Sequence, residues 1–138
     1  MLTNPLVGTF YRGKAAQALI SLLPYGAKVI LRPEPVNPYD EFAVAIFVPT
    51  QTIGKIPETE ILAAIEIFPD VDFDAEVIRQ PEVHVGYLPR ESARELRTNL
   101  NLEAYEEIEA EYLPGERNGM IAYDPANSRL QSAGTLAD

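Results

Sequence analysis

A short polar turn near the middle of the chain carries the side chains best suited to bind a ligand. Residues 37–40 read Asn-Pro-Tyr-Asp and run directly into an apolar segment, Ala-Val-Ala-Ile, at residues 43–46. An Asn-Pro pair favours turn initiation, and the proline biases Asn37 away from helical backbone angles. The turn presents the ring of Tyr39, which can stack on a planar ligand, and the carboxylate of Asp40, which accepts hydrogen bonds when ionised. This combination predicts the edge of a binding pocket.

Three further segments accompany this turn. Residues 7–11 (Val-Gly-Thr-Phe-Tyr) lie upstream, residues 32–35 (Arg-Pro-Glu-Pro) precede the turn, and residues 85–91 (Val-Gly-Tyr-Leu-Pro-Arg-Glu) follow it. In this order, the four segments resemble the HIRAN domain. The similarity covers roughly residues 7–96, and the C-terminal remainder of the chain has no counterpart in that family.

The resemblance implies a modified OB-type barrel that captures the 3' end of single-stranded DNA. It implies that Tyr11 stacks on a base, and that Asn37, Tyr39 and Asp40 hold the terminal nucleotide. The carboxylate of Asp40 would accept a hydrogen bond from the free 3' hydroxyl, and it would repel a phosphate at the same place. Such a site distinguishes a strand end from a strand interior. Tyrosine stacking needs no particular base and contributes roughly 1 to 3 kcal/mol per base.

Several cations lie near these segments and are candidates for phosphate contacts. Arg12 directly follows the first segment, Arg32 begins the segment before the turn, and Arg90 belongs to the last segment. Tyr87 adds another aromatic ring to that last segment. Phe10 stands where the resemblance implies a basic residue, which weakens the phosphate side of the expected site.

Two glycine-containing segments compete for a place beside the turn. The spacing from the turn fits the Gly54 segment, which carries Lys55, whereas the flanking chemistry fits the Gly86 segment. The two glycines, and the prolines that follow them, are each 32 residues apart. This repetition indicates either a duplicated strand-helix-strand unit within residues 53–116, or merely the commonness of a glycine before a strand that ends at a proline.

The charge of the chain is unevenly distributed. The whole chain has 21 acidic and 11 basic side chains, for a net charge of −10. Residues 1–57 contain five basic and three acidic side chains (+2), so the remainder contains six basic and eighteen acidic ones (−12). A negative net charge disfavours wrapping of long nucleic acid, because such binding depends on Lys and Arg displacing counterions from phosphates. The acidic second half is either a solvated face or a second interaction surface.

The sequence disfavours several other chemistries. It contains no cysteine, which removes disulfides, thiolate catalysis and zinc-cysteine sites and is compatible with a reducing cytoplasm. It has no P-loop, dinucleotide fingerprint, nucleophile elbow or zinc-protease signature. No apolar run approaches the roughly 20 residues that span a bilayer. We therefore expect a cytoplasmic protein with no catalytic residues, no cofactor and no membrane partner.

Two features invite a metal or catalytic interpretation. Acidic side chains at residues 70–76 alternate with apolar ones, but the glycine of a calcium loop is missing, and such alternation is typical of a half-exposed strand. His84 is the single histidine, and no nucleophile lies near it in the sequence. We expect no metal site, and a packed or surface role for His84.

Short apolar segments separated by glycine and proline predict an α+β, mainly β, protein. We expect strands near residues 7–11, 28–32, 42–48, 73–77, 85–89, 108–112 and 120–123, and helices near 15–23, 61–68 and 93–100. A small OB-like curled barrel of about six strands with two or three short helices would dispose of exposed sheet edges. We expect a HIRAN-like domain over residues 1–123 and a C-terminal tail over residues 124–138 that frays or docks.

The leading hypothesis is a non-catalytic module, of the standalone bacterial or phage type, that recognises single-stranded DNA 3' ends. It requires Tyr11, Tyr39 and Asp40 to converge on one cavity. The alternative is an acidic protein-interaction or inhibitor module that uses the HIRAN-like barrel as a scaffold. Its acidic surface would occupy the nucleic-acid-binding cleft of a basic DNA-processing protein. Because fold does not fix function, the resemblance leaves both hypotheses open.

Overall fold

Seven strands and four α-helices form the part of the chain that the computed structural model describes, residues 1–131. The strands are β1 (Leu2–Pro5), β2 (Ala27–Pro33), β3 (Val44–Pro49), β4 (Glu82–Tyr87), β5 (Glu106–Leu113), β6 (Met120–Tyr123) and β7 (Ser128–Leu130). The helices are α1 (Lys14–Leu22), α2 (Thr50–Ile53), α3 (Glu58–Ile67) and α4 (Arg90–Thr98). Shorter helical turns cover Thr9–Arg12, Asp74–Ile78 and Pro125–Asn127.

All strands belong to one antiparallel sheet that curls on itself. Its order is β1-β6-β5-β2-β3-β4, and β7 pairs with β5 beyond the end of β6. Strand pairing does not run continuously around the sheet, but its two ends meet where Val7 and Tyr87 exchange both backbone hydrogen bonds, at 3.0 and 2.8 Å. The expectation of an α+β protein built on a small curled barrel is therefore confirmed.

The core lies inside the curl of the sheet. Inward-facing side chains of β2, β3 and β5 are fully buried because alternate residues of a strand point to one face. The largest of these are Leu31, Ile46 and Ile108. Helix α1 buries Leu19 and α4 buries Leu96 against the same core, so both helices are fixed to the sheet. Their positions determine the walls of the site described below.

The prediction of a strand at residues 7–11 is wrong. The first strand is β1, and Val7 makes only an isolated bridge before the chain enters the helical turn Thr9–Arg12. Gly8 has a φ of +79°, a left-handed conformation that glycine adopts without steric cost. This turn ends the extended segment and directs the side chains that follow it away from the sheet.

The prediction of a strand at residues 73–77 is also wrong, because Asp74–Ile78 form a π-helical turn. The Asp72 carboxylate accepts from the Ala75 N–H at 3.1 Å, and the Glu76 carboxylate accepts from the Asp72 N–H at 2.8 Å. These local bonds favour a helical turn over a strand. Since α2 precedes α3, residues 53–78 do not form the strand-helix-strand unit that the 32-residue repetition indicated.

The beginning of the predicted C-terminal tail is structured. Strand β7 pairs with the start of β5, and Arg129 of β7 forms ion pairs with Glu107 and Glu109 of β5. The rest of the predicted tail, residues 132–138, lies outside the described residues. Within residues 1–131, no helix is long and apolar enough to cross a membrane.

Candidate functional site

A cleft of about 560 Å³ opens beside the junction of the two sheet ends. Its walls come from the Thr9–Arg12 turn, the loop between β2 and β3, the end of β4 and the start of α4. Seven of the eight predicted site residues line it: Tyr11, Arg12, Asn37, Tyr39, Asp40, Tyr87 and Arg90. The fold thus brings together segments that are far apart in the sequence.

The turn between β2 and β3 is held by its own side chains. The Asn37 side-chain carbonyl accepts from the backbone N–H groups of Tyr39 (2.8 Å) and Asp40 (3.1 Å). The Asp40 carboxylate accepts from the Phe42 N–H at 3.0 Å through Oδ1. Asparagine and aspartate commonly make such bonds to main-chain groups two or three residues ahead. The turn is therefore formed before any ligand arrives.

The second oxygen of Asp40 remains accessible to a ligand. Its Oδ2 lies 3.5 Å from Arg90 Nε, and Arg90 also donates to the Tyr39 carbonyl at 3.3 Å. The Asp40 side chain is 18% exposed and the Arg90 side chain 77%. Since Oδ1 caps the main chain, Asp40 offers the cleft one acceptor, adjacent to an exposed cation.

Two aromatic rings stand open to solvent at the rim of the cleft. Tyr11 is 88% exposed and Tyr39 is 89% exposed. Neither hydroxyl makes a hydrogen bond within residues 1–131. Phe10 contacts Tyr11 edge-to-face, with ring centroids 5.5 Å apart. Exposed rings of this kind provide large apolar faces without a packing role, so they are available to stack on a ligand.

Glu34 is a site residue that the sequence analysis did not single out. Its Oε1 accepts from the Tyr87 hydroxyl at 2.9 Å and from the Asn37 side-chain amide at 2.8 Å. Burial, together with the bond to Glu34, raises the pKa of Tyr87 above its ordinary value, so the phenol remains a donor at neutral pH. Glu34 thus connects the turn to β4. The Glu-Pro pair directly before the turn was the available signal.

The Gly86 segment, not the Gly54 segment, lines the cleft. Gly86 lies where a Cβ atom would approach the Val7 carbonyl oxygen to 2.5 Å, so only glycine permits the bridge between the sheet ends. Gly54 ends α2 in an ordinary helical conformation, and neither Gly54 nor Lys55 contributes to the cleft.

Arg32 is the one predicted site residue that does not line the cleft. It lies on the outer face of the sheet, where its guanidinium bonds Glu82 and Glu107 and stacks over the Phe47 ring at 4.6 Å. Burial alone would lower the pKa of Arg32, but the bonds to the two carboxylates raise it overall. Its charge is neutralised within the protein.

His84 packs behind the cleft. Its ring contacts the rings of Phe47 and Tyr87, each at 4.8 Å between centroids, and its Nε2 lies 3.0 Å from the Gly86 carbonyl oxygen. Burial, and secondarily the positive charge of Arg12, lower the pKa of His84 below its ordinary value. The ring is therefore neutral at pH 7 and supports Tyr87 from behind.

Two of the acidic residues that suggested a metal site form ion pairs with basic side chains. The Asp74 carboxylate pairs with Arg79, and Asp70 pairs with Lys14 at 3.0 Å. Across residues 1–131, no group of three or more acidic or histidine side chains is arranged to hold a metal ion.

Comparison with known proteins gives one match. A family model described as the HIRAN domain matches residues 1–82 of the 138-residue chain. No curated protein matches the chain, and no solved structure does. The matched range includes the Thr9–Arg12 turn, Glu34 and the 37–40 turn, and it ends before Tyr87 and Arg90.

Proposed function

Because the chain belongs to the HIRAN domain family, a family of DNA-binding modules, we propose that its cleft binds the 3' end of single-stranded DNA. In this proposal the protein performs no chemistry. It holds the terminal nucleotides by stacking and by a hydrogen bond to the free 3' hydroxyl.

The observation that carries the proposal is the convergence of Tyr11, Tyr39 and Asp40 on one cleft. The two open rings offer stacking faces for successive bases, worth roughly 1 to 3 kcal/mol each and independent of base identity. In the same cleft, the Oδ2 atom of Asp40, 3.5 Å from Arg90 Nε, supplies an acceptor for a hydroxyl group. Because the other oxygen is bonded to the Phe42 N–H, the carboxylate receives one donor from the ligand.

The charges around this acceptor support recognition of an end. A 3' phosphate would place negative charge against the Asp40 carboxylate, and an internal phosphodiester would do the same. The phosphate that precedes the terminal sugar would instead meet Arg90, whose side chain is exposed beside Asp40. Arg12 is the second cation of the cleft wall and supports a further phosphate contact.

Fluorescence anisotropy with labelled oligonucleotides tests this function. We expect a 3'-hydroxyl oligonucleotide to bind at least tenfold more tightly than the same strand with a 3' phosphate. A circular single strand should bind as weakly as the phosphorylated one. Equal affinity for all three strands, or no binding of any, would overturn the proposal.

A second candidate function arises from helix α3. Ala64 is the only fully buried residue of this helix, while Leu62 and Ile65 are exposed on one side of it, with Glu58 and Glu66 adjacent. An exposed aliphatic surface with acidic edges fits a basic partner with an apolar centre. This favours docking of a basic DNA-processing protein at α3.

Pull-down across a salt series separates the two functions. For the second candidate, the chain should retain a basic DNA-processing protein at low salt while binding no oligonucleotide. The double substitution Leu62→Gln with Ile65→Gln should abolish retention. Ile67→Gln, which alters an exposed residue on another side of α3, serves as the matched control. If the partner were retained equally by the double variant, the Ile67→Gln control and the wild type, α3 would be excluded as the docking surface.

A further inference from the structure

Helix α4 carries three arginines on one side. Arg90, Arg94 and Arg97 are spaced by four and three residues, which places them on one stripe of an α-helix. Glu91 and Glu95 lie on an adjoining side, where they line a different groove. The positive and negative side chains of α4 are therefore segregated.

The stripe begins in the cleft and follows the turn that forms its wall. Arg90 contacts Asp40, Arg94 lies over the Phe42 ring at 4.8 Å, and Arg97 donates to the Glu41 carbonyl at 3.4 Å. Each arginine thus contacts a different residue of the 40–42 segment. The helical rise of about 1.5 Å per residue extends the stripe roughly 10 Å from the cleft.

The positive charges of Arg94 and Arg97 are not neutralised by carboxylates. Arg94 makes no ion pair within residues 1–131, and Arg97 bonds only the backbone carbonyls of Leu102 (2.9 Å) and Glu41. In a chain with 21 acidic and 11 basic side chains, unpaired arginines are unexpected. Aromatic stacking also leaves the guanidinium edges of Arg94 free to donate to an anion.

We propose that the Arg90–Arg94–Arg97 stripe binds the phosphates of the DNA strand that leads into the cleft. This inference rests on the proposed function and adds the path of the strand on its 5' side. At the roughly 3.4 Å spacing of stacked nucleotides, the stripe serves about three nucleotides beyond the terminal one. Arginine suits this role because its planar fork binds phosphate oxygens in pairs.

The opposite exit from the cleft is less suitable. Beyond Arg12, a neighbouring groove is lined by the carboxylates of Glu76 and Glu82 together with His84 and Gln80. Phosphates that left the cleft on that side would meet negative charge. The strand therefore leaves along α4.

The test measures how the affinity depends on strand length. Two thymidine oligonucleotides with 3' hydroxyls, one of two nucleotides and one of eight, are titrated against the full chain by NMR. We expect the longer strand to bind at least fivefold more tightly. Arg94→Gln should weaken the longer strand three- to tenfold, leave the shorter one within twofold, and reduce the salt dependence of the longer one by roughly 0.7 in log-log slope.

Two control variants keep the interpretation specific. Arg94→Lys retains the charge and should retain most of the affinity for the longer strand. Lys55→Gln makes the same change in net charge away from the cleft and should alter neither strand's binding. If Lys55→Gln weakened the longer strand as much as Arg94→Gln does, the effect would be one of net charge and the inference would be wrong.

The outcomes distinguish this inference from the proposed function. Equal affinity of the wild-type chain for both strands would overturn the inference about the stripe and leave the proposed function standing. If Arg94→Gln weakened the binding of both strands equally, that result would also count against the inference, because it would indicate damage to the cleft. If neither strand bound the wild-type chain, the proposed function would fail and the inference with it.

Discussion

The outer face of the sheet and the cleft beside β4 both contain arginines and carboxylates, but they differ in how completely these charges are paired. On the outer face, the Glu107 side chain is only 4% exposed and lies between Arg32 and Arg129. Glu82 and Glu109 complete this set, which we call the paired face. These ion pairs join residues of four strands, β2, β4, β5 and β7.

Around the cleft, the polar groups are satisfied only in part. Arg12, Arg94 and Arg97 have no carboxylate partner within residues 1–131, and Arg90 contacts Asp40 at a long 3.5 Å. Residue type alone therefore does not identify a binding arginine. An arginine whose donors are occupied by carboxylates stabilises the fold, whereas one with free donors is available to an external anion.

The largest expected effect is a loss of stability when the paired face is disrupted. Arg32→Met removes one of the two arginine partners of the buried Glu107 carboxylate and the arginine partner of Glu82. We therefore expect the free energy of unfolding to fall by about 3 kcal/mol. Arg90→Met should change it by less than about 0.5 kcal/mol, as is usual for an exposed position. Urea unfolding measures both. Oligonucleotide binding should show the opposite ranking, with Arg32→Met retaining affinity once folded.

A second substitution checks the physical reason for that loss. Adding Glu107→Gln to Arg32→Met removes a buried negative charge that Arg129 alone would otherwise pair with, and it should restore part of the stability. If the double variant were destabilised by the sum of the two single effects, the loss would come from packing against Phe47 and not from the incompletely paired carboxylate.

The next effect concerns the open rings of the cleft. Tyr39→Ala and Tyr11→Ala should each weaken oligonucleotide binding by about 1 to 3 kcal/mol without lowering stability, because both rings are exposed. Tyr25→Ala is the matched control, since Tyr25 is 80% exposed but lies outside the cleft. Anisotropy titrations give the three affinities. An equal loss of affinity in Tyr25→Ala would indicate non-specific binding.

The smallest expected effect is on the pH dependence of stability, and it comes from His84, whose ring lies between Phe47 on the outer face and Tyr87 in the cleft. Its pKa is lowered in the folded state, so below the ordinary value of about 6.5 the unfolded chain binds a proton that the folded chain does not. This contribution lowers stability as the pH falls through 6.5, and it is absent above that pH. Unfolding measured at pH 7.5 and 5.5 should therefore show a smaller decrease for His84→Gln than for the wild type. An identical pH dependence would contradict the neutral, packed ring.

Local chemistry made part of this site predictable from the sequence. The 37–40 turn was identified because its side chains bond main-chain groups two or three residues away, and such bonds depend on neighbours in sequence. Tyr11 was identified as well, although the strand expected around it is a helical turn. A turn presents an exposed ring as readily as a strand end does.

Long-range pairing made the rest unpredictable. Arg32 was assigned to the cleft, but its partners Glu82 and Glu107 are 50 and 75 residues away, and only the register of the sheet brings them together. The choice between Gly54 and Gly86 stayed open for the same reason, because it depends on which segment pairs with Val7. The flanking residues favoured Gly86 and the spacing favoured Gly54, and only the strand pairing decides between them.

In the proposed complex, Oδ2 of Asp40 accepts the hydrogen bond of the 3' hydroxyl, and a double-mutant cycle measures this interaction. The wild-type chain and Asp40→Asn are each titrated with an oligonucleotide that ends in a 3' hydroxyl and with one that ends in 3' hydrogen. Asparagine can still cap the Phe42 N–H, so the turn is preserved. We expect a coupling free energy of about 1.5 to 3 kcal/mol between the carboxylate and the hydroxyl. A coupling near zero, with both strands bound equally by both proteins, would contradict it.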